Sequence, residues 1–387
     1  MAVNQSIKAL KGYLDKTYKE SETKKYISWS SLESGFIERI PTGSLLLDDV
    51  FGGGFIRSGL YQFFGGEGGG KSTVVSFIAA AYQQKGLPVL YIDAENKFQP
   101  EYTLATTGFN VMDENLCLFS QEEEASVIYD MIEKAAMNGF GLCVVDSTDA
   151  MMTPAQMNSE YGEQQMMQHA RFHSESLRKI KGICNRNKCA VIFISQSRTH
   201  MVQGGGSYEE TSGGKAIKFY CLSRNKVRRV KVLEDKDTGN ARGVEIEIKN
   251  VKNQGGIPYK TCELTILFNK GIDTFNEAID LAIQYDVIHK KGGWFEYSAF
   301  GEKPLQGREK VIAWFRENPA EYDILWKATE QAMKDAKNKV NLKDITVQEE
   351  DMEVASEVEE DLEKTASDAS DDVTEEVPRR GQGRGKK

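Results

Sequence analysis

The sequence predicts an α/β fold on a mostly parallel central sheet, with a helix at the N-terminus and a small α+β unit near the C-terminus. Three observations carry that expectation. The runs LYQFF (60–64), PVLYIDAE (88–95), GLCVVDS (141–147) and AVIFISQ (190–196) are near-continuously apolar, as strands covered on both faces are, and helical lengths separate them. A glycine-rich segment joins the first run to a long helix-forming stretch. Beyond residue 225 the texture changes to alternating strands with turns between them.

Taken in order, the first 40 residues contain a helical pattern over Ser6 to Glu20. Ile7, Leu10, Tyr13 and Leu14 fall on one face, which needs a partner surface, and a polar linker follows. Residues 41–273 form the core. In it, Gly65 to Thr73 read GGEGGGKST and match the pattern GxxxxGK(S/T) between an apolar strand and a helix, the context that phosphate chemistry demands. Gly65, Gly66, Glu67, Gly68, Gly69 and Gly70 form a loop whose backbone N–H groups can turn inward around phosphates, aided by the helix N-terminus. Lys71 reaches the outer phosphates of a nucleoside triphosphate, and Ser72, followed by Thr73, offers a hydroxyl to Mg2+.

The other strand ends add chemistry. Asp146 ends an apolar strand about 75 residues later, where a carboxylate can order a magnesium water shell. Glu95, at the end of another, is placed to polarise a water for attack on the γ-phosphate; on spacing alone Asp93 competes equally. Gln196 ends the fourth run as a γ-phosphate sensor, and it leads into THMVQGGGSYEETSGGK, a polar stretch expected to be a mobile functional loop.

The next strands, 226–235, 244–253 and 259–268, read as hairpins that extend the sheet, with turns at 236–240 and at Gly255-Gly256. Residues 274–340 carry helical stretches at 275–288 and 308–318 around an aromatic strand, GGWFEYSAF. Residues 341–387 are an acidic, Ser-rich tail with a basic end, too poor in large apolar side chains to order itself. Fourteen acids face Lys364 alone between Glu349 and Glu376. Against a whole-chain charge of −9, that local −13 and the +5 of the last eleven residues leave residues 1–348 at −1. An acidic total therefore does not exclude a nucleic-acid partner.

The six cysteines sit in apolar settings and read as free, buried thiols. Cys184 and Cys189 lack the second ligand pair of a zinc site. No apolar run is long enough to span a membrane and the N-terminus lacks a secretory segment, so a cytoplasmic location is expected, the host cytoplasm for a viral source.

With these strand ends in hand, the chain resembles the RecA recombinase family, most closely the bacterial type, from Pro41 to Asn338. PTGSLLLDDVFGGGF, GGEGGGKST, YIDAEN with PEY, VVDSTDAMMTP, VIFISQSR, TSGGKAIKFY, VKN and GGWFEY carry the likeness by their order and spacing. The resemblance implies a RecA-like ATPase core using ATP and Mg2+, with Glu95 and Lys71 catalytic and Gln196 coupling the γ-phosphate to DNA. Tyr102 would stack on adenine, and Phe219 would pack into a neighbouring subunit. Two DNA-binding loops are implied, about Asn158 to Gln168 and Ser197 to Thr211. In them Met166 and Met201 would wedge between base triplets, while Arg171, Arg198, Gly213 and Gly214 would hold phosphates. Lys252 matches a lysine that reaches the neighbour's γ-phosphate, whereas Gln254 stands where a second lysine is usual, leaving Lys249 as a substitute. The chain also departs at Gly204 to Gly206 and Tyr208 in the second loop, and at Gln99 near the adenine.

The function so implied is an ATP-dependent recombinase that forms helical filaments on single-stranded DNA, pairs it with homologous duplex and exchanges strands. The N-terminal helix would dock on a neighbouring protomer, the C-terminal unit would help capture duplex, and a single-strand-binding protein or loader would assist. The rival readings are a RecA-fold ring motor such as a DNA helicase, and a scaffold with a vestigial ATPase site. If the acidic tail competes with DNA for basic surfaces, deleting residues 349–387 eases duplex binding and lowers its magnesium requirement. Duplex affinity unchanged across a salt titration would reject that competition.

Overall fold

A computed structural model of the chain describes residues 38–157, 166–202, 206–211, 214–235, 237–301 and 303–339. The predicted N-terminal helix and the acidic tail lie outside the described residues. The chain divides into two compact units, Met1–Leu281 and Ala282–Lys387.

The first unit opens with a small ribbon, β1 (Arg39–Ile40) antiparallel to β2 (Phe55–Ile56), and the short helix α1 (Leu45–Val50) between them. Ser44 caps α1 by accepting from Leu47 N–H at 3.1 Å. Then come β3 (Gly59–Gly65), α2 (Lys71–Gln84), β4 (Val89–Asp93), α3 (Pro100–Thr107), β5 (Cys117–Ser120), α4 (Ala125–Met137) and β6 (Leu142–Asp146). Beyond them lie α5 (Pro154–Met157), α6 (Met166–Arg186), β7 (Ala190–Val202), β8 (Gly206–Thr211), α7 (Gly214–Tyr220) and β9 (Ser223–Glu234). The unit is completed by β10 (Ala241–Asn253), β11 (Thr261–Leu267), β12 (Gly271–Ile272) and the start of α8 (Thr274–Gln284).

The sheet order is β12-β11-β10-β9-β3-β7-β6-β4-β5, with β8 paired to β7. From β5 to β9 all neighbours are parallel, and β9 to β12 are antiparallel. Each of the four predicted apolar runs is a strand of the parallel part. β3, the centre, is buried along its whole length because helices cover both faces. One core layer packs Val74, Ile78 and Tyr82 of α2 with Tyr61, Phe63 and Tyr91, and the other packs Ile128 and Ile132 of α4 with Leu177 and Ile180 of α6. The six cysteines are free and buried.

Two features were not read from the sequence. The edge strand β5 has only four residues, and its Leu118 is half exposed, so it lacks the long apolar signature of the inner strands. The Gly-rich stretch read as a mobile loop instead continues β7 to Val202 and returns as β8, an antiparallel ribbon in register from Ser197↔Thr211 to Val202↔Gly206. Thr199, Val202, Tyr208 and Thr211 are strand-forming residue types, and they outweigh the glycines that drew the eye. Residues 203–205 at its tip lie outside the described residues.

Side chains also cross the sheet. Arg224 Nε donates to Gln62 Oε1 at 2.8 Å, Gln62 Nε2 donates to Ser195 Oγ at 3.0 Å, and Ser195 Oγ lies 2.9 Å from Thr148 Oγ1. Gln62 and Ser195 are fully buried, so this ladder satisfies polar groups that would otherwise be stranded in the core.

The second unit contains β13 (His289–Lys291), β14 (Trp294–Glu296) and β15 (Leu305–Gln306), an antiparallel sheet. With it lie α9 (Arg308–Glu317) and α10 (Pro319–Lys339). Its core is aromatic: Phe315, fully buried, contacts Tyr297, Phe300, Trp314 and Tyr322. No helix among the described residues is long and apolar enough to cross a membrane.

A carboxylate ties the start of the core to its end. Glu277 of α8 accepts from Ser44 Oγ at 3.0 and 2.9 Å and from Leu46 N–H at 3.1 Å. Burial pushes its pKa up to about 7; hydrogen bonds from Leu46, Ser44 and Leu45 oppose the rise, and Asp48 adds repulsion. An acid that holds its proton more tightly when folded stabilises fully below its ordinary pKa of 4.5, and that contribution is lost as pH rises through about 7. Urea denaturation should show on the order of 3 kcal/mol of stability lost across this window, and Glu277→Gln should flatten the loss.

Candidate nucleotide site and DNA interface

Parallel register sets the site. Gly65 pairs with Gln196 across β3 and β7, and Asp93 pairs with Asp146 across β4 and β6, so all four lie at the carboxyl edge of the sheet. The phosphate loop crosses that edge into α2. Gly70, the N-cap of α2, has φ of 89° and contributes no side-chain cap, which leaves the first N–H groups of the helix open to an anion. A Cβ at Gly65 would run into the carbonyl oxygen of Val227, so only glycine fits there.

Lys71 is buried and donates to the carbonyls of Gly65 and Gly66 at 3.1 and 2.8 Å. Burial lowers its pKa, and the charges of Asp146, Glu95, Asp149 and Glu67 act against that. The pKa of Asp146 is raised, by burial first and by the charge of Glu95, while hydroxyls from Ser72 and Tyr91 pull the other way. A buried carboxylate beside a second carboxylate is a place where a cation would be stabilising, and the Ser72 hydroxyl stands next to it. Tyr91 OH donates to Asp146 Oδ2 at 3.2 Å.

The structure separates the two acids that spacing could not. Asp93 is buried and accepts from Phe98 N–H at 2.9 Å, closing the turn after β4. Glu95 faces the site: its Oε1 accepts from Ser147 Oγ at 2.5 Å and Gln196 Nε2 at 3.2 Å, and its Oε2 pairs with Lys97 Nζ at 2.9 Å. Burial alone would raise its pKa, but Ser147, Lys97 and Gln196 overcome that and lower it. The Gln196 N–H is held by Asp149 Oδ2 at 2.8 Å. Ser147, Lys97 and Asp149 were not singled out from the sequence, although each lies within three residues of a residue that was.

A cavity of about 280 Å3 joins these groups to Tyr102 and Gln99 on the α3 side, with Ser72, Thr73, Glu95, Lys97 and Asp146 in its wall. Tyr102 is half exposed there, open to a planar base. Lys252 is not in this cavity. Its ammonium donates to the carbonyls of Lys218 and Phe219 at 3.1 and 3.0 Å, at the end of α7, and burial lowers its pKa. Phe219 is 75% exposed beside it. Lys249 instead shares a separate concavity with Lys218, Arg224, Lys226 and Arg228, a cationic surface with Glu247 inside it.

The expected DNA contacts fall partly outside the described residues: 158–165 of the first loop, and Gly213, are not described. Met166 opens α6, Arg198 and Met201 lie in β7, and Gly214 opens α7. Arg171 is exposed on α6 and pairs with Glu175 at 3.0 Å.

A family model for the RecA N-terminal domain matches residues 8–273, and one for the RecA C-terminal domain matches 276–334. The chain belongs to the RecA family. The RecA protein of Picosynechococcus sp. is 36% identical over 285 residues, covering 73% of this chain and 80% of that protein. That of Rickettsia bellii is 34% identical over 284 residues, 73% and 81% of the two chains, and that of Chlorobium chlorochromatii 35% over 299 residues, 77% and 82%. As a RecA-family protein the chain is an ATP-dependent DNA recombinase, and the ring-motor alternative is not favoured. For this RecA-family site, Asp93→Asn should weaken the turn by about 1–2 kcal/mol in chemical denaturation and still permit ATP hydrolysis. A greater loss of hydrolysis in that variant than in Glu95→Gln would exchange the two roles.

Proposed function

We propose that this recombinase binds ATP with Mg2+ at the loop Gly65 to Thr73 and hydrolyses it with Glu95 as general base. The observation that carries this is the Glu95 carboxylate, kept ionised and tied directly to the Gln196 amide at the carboxyl edge of the sheet. Lys71 would leave its two carbonyl partners for the outer phosphates. Ser72 and Asp146 would hold magnesium, which when bound neutralises phosphate charge. Glu95 takes a proton from the attacking water as the bond from the γ-phosphorus to the bridging oxygen breaks.

Gln196 then links chemistry to DNA. Its side chain touches the base, its backbone is pinned by Asp149, and from the next residue, Ser197, the same strand runs out into the β7–β8 ribbon. A γ-phosphate that draws Gln196 away from Glu95 would shift the root of that ribbon, which supports its role as a single-strand-binding element with Arg198, Met201 and Gly214. Met166 and Arg171 would serve the other DNA loop. Single-stranded DNA and homologous duplex are the partners this reading implies, within a helical homo-oligomer.

The exposed Phe219 supports a packing role in a neighbouring subunit, with Lys252 holding the helix end that presents it. The cationic concavity around Lys249 supports that residue, in place of Gln254, as the group that meets a neighbour's triphosphate. Strand exchange between a circular single strand and homologous linear duplex should require ATP and be lost in Lys71→Ala. Glu95→Gln should bind ATP and DNA normally but lower kcat by about two to four orders of magnitude. Unwinding of a forked duplex without homologous DNA, and no exchange, would overturn the reading.

A further inference from the structure

Both oxygens of Glu95 are engaged, but by donors of different kinds. Ser147 is buried at the end of β6 and Gln196 lies within β7, so the donors on Oε1 are set by the sheet. The donor on Oε2, Lys97, is 67% exposed and sits on a flexible four-carbon stem, while the carboxylate that it meets is only 18% exposed. Its ammonium feels three carboxylates carried by three segments: Glu95 after β4, Glu67 in the phosphate loop and Asp146 at the end of β6. It also lines the cavity shared by Ser72 and Tyr102. An ammonium on Oε2 keeps the carboxylate ionised but makes that oxygen a weaker base for water.

We propose that Lys97 is a positioning residue gated by the γ-phosphate: it holds Glu95 in the nucleotide-free protein and moves its ammonium to the γ-phosphate when ATP binds, freeing Oε2 for the attacking water. This rests on the assignment of Glu95 as base. The terminal phosphate carries more charge than one carboxylate, so it outcompetes Glu95 for the ammonium. ADP lacks that phosphate, and with ADP bound Lys97 stays on Glu95. The exchange makes the base most available when there is something to hydrolyse.

Lys97→Ala should raise the Kd of a non-hydrolysable ATP analogue about three- to fivefold, the size of a partly exposed charge contact, and leave the Kd of ADP unchanged. Lys97→Arg should restore the affinity for the analogue and leave that for ADP as it is. Equal weakening of analogue and ADP, or no change in either, would overturn the proposal. Failure of the unaltered protein to hydrolyse ATP while still binding the analogue would instead remove Glu95 as base, and Lys97's role with it.

Discussion

The molecule depends on the parallel register of its inner strands. A shift of one residue between β3 and β7 would turn Gln196 to the opposite face of the sheet and bring Ser195, now a buried partner of Gln62, to the carboxyl edge. Burial on both faces prevents that slip, since every inner residue would have to trade its packing at once. The groups at that edge are therefore fixed by hydrophobic packing some distance beneath them. Polar chemistry at the edge is positioned by apolar chemistry below it.

That edge also concentrates charge. Lys71, Asp146, Glu95 and Lys97 occupy one half-buried surface, and neighbours move their proton affinities in different directions. Asp146 is pushed towards neutrality by burial and by Glu95, whereas three donors hold Glu95 as an anion. Two carboxylates on adjacent strand ends thus receive different tasks from their surroundings. Asp93, the last residue of β4, is instead a structural acceptor because the Phe98 N–H takes its carboxylate.

The sequence showed what is written in one dimension. Long apolar runs marked the four inner strands, and the loop at Gly65 to Thr73 needed only its glycines, Lys71 and Ser72 to be read. It was less informative where partners come from elsewhere in the chain. Asp93 and Glu95 have similar local settings, and the Phe98 N–H on the one and Ser147, Gln196 and Lys97 on the other tell them apart. β5 is too short and too exposed to carry a signature. The β7–β8 ribbon misled because glycines at a tip say little about strands on either side. Lys252 was assigned by resemblance to a neighbour's phosphate, and within its own chain it holds the end of α7.

The side-chain ladder from Arg224 through Gln62 and Ser195 to Thr148 runs across the strands, at right angles to the backbone direction. Backbone hydrogen bonds between strands resist their separation, but they resist sliding less well because a slipped pair can re-form. Rungs of side chains cannot re-form after a one-residue slip, since no second Gln62 or Ser195 waits at the next position. The sheet therefore gains shear stiffness at the level just below its reactive edge. Under the proposed function, with force entering through the β7–β8 ribbon and leaving through contacts at Phe219, the polar groups at the edge are braced there against distortion.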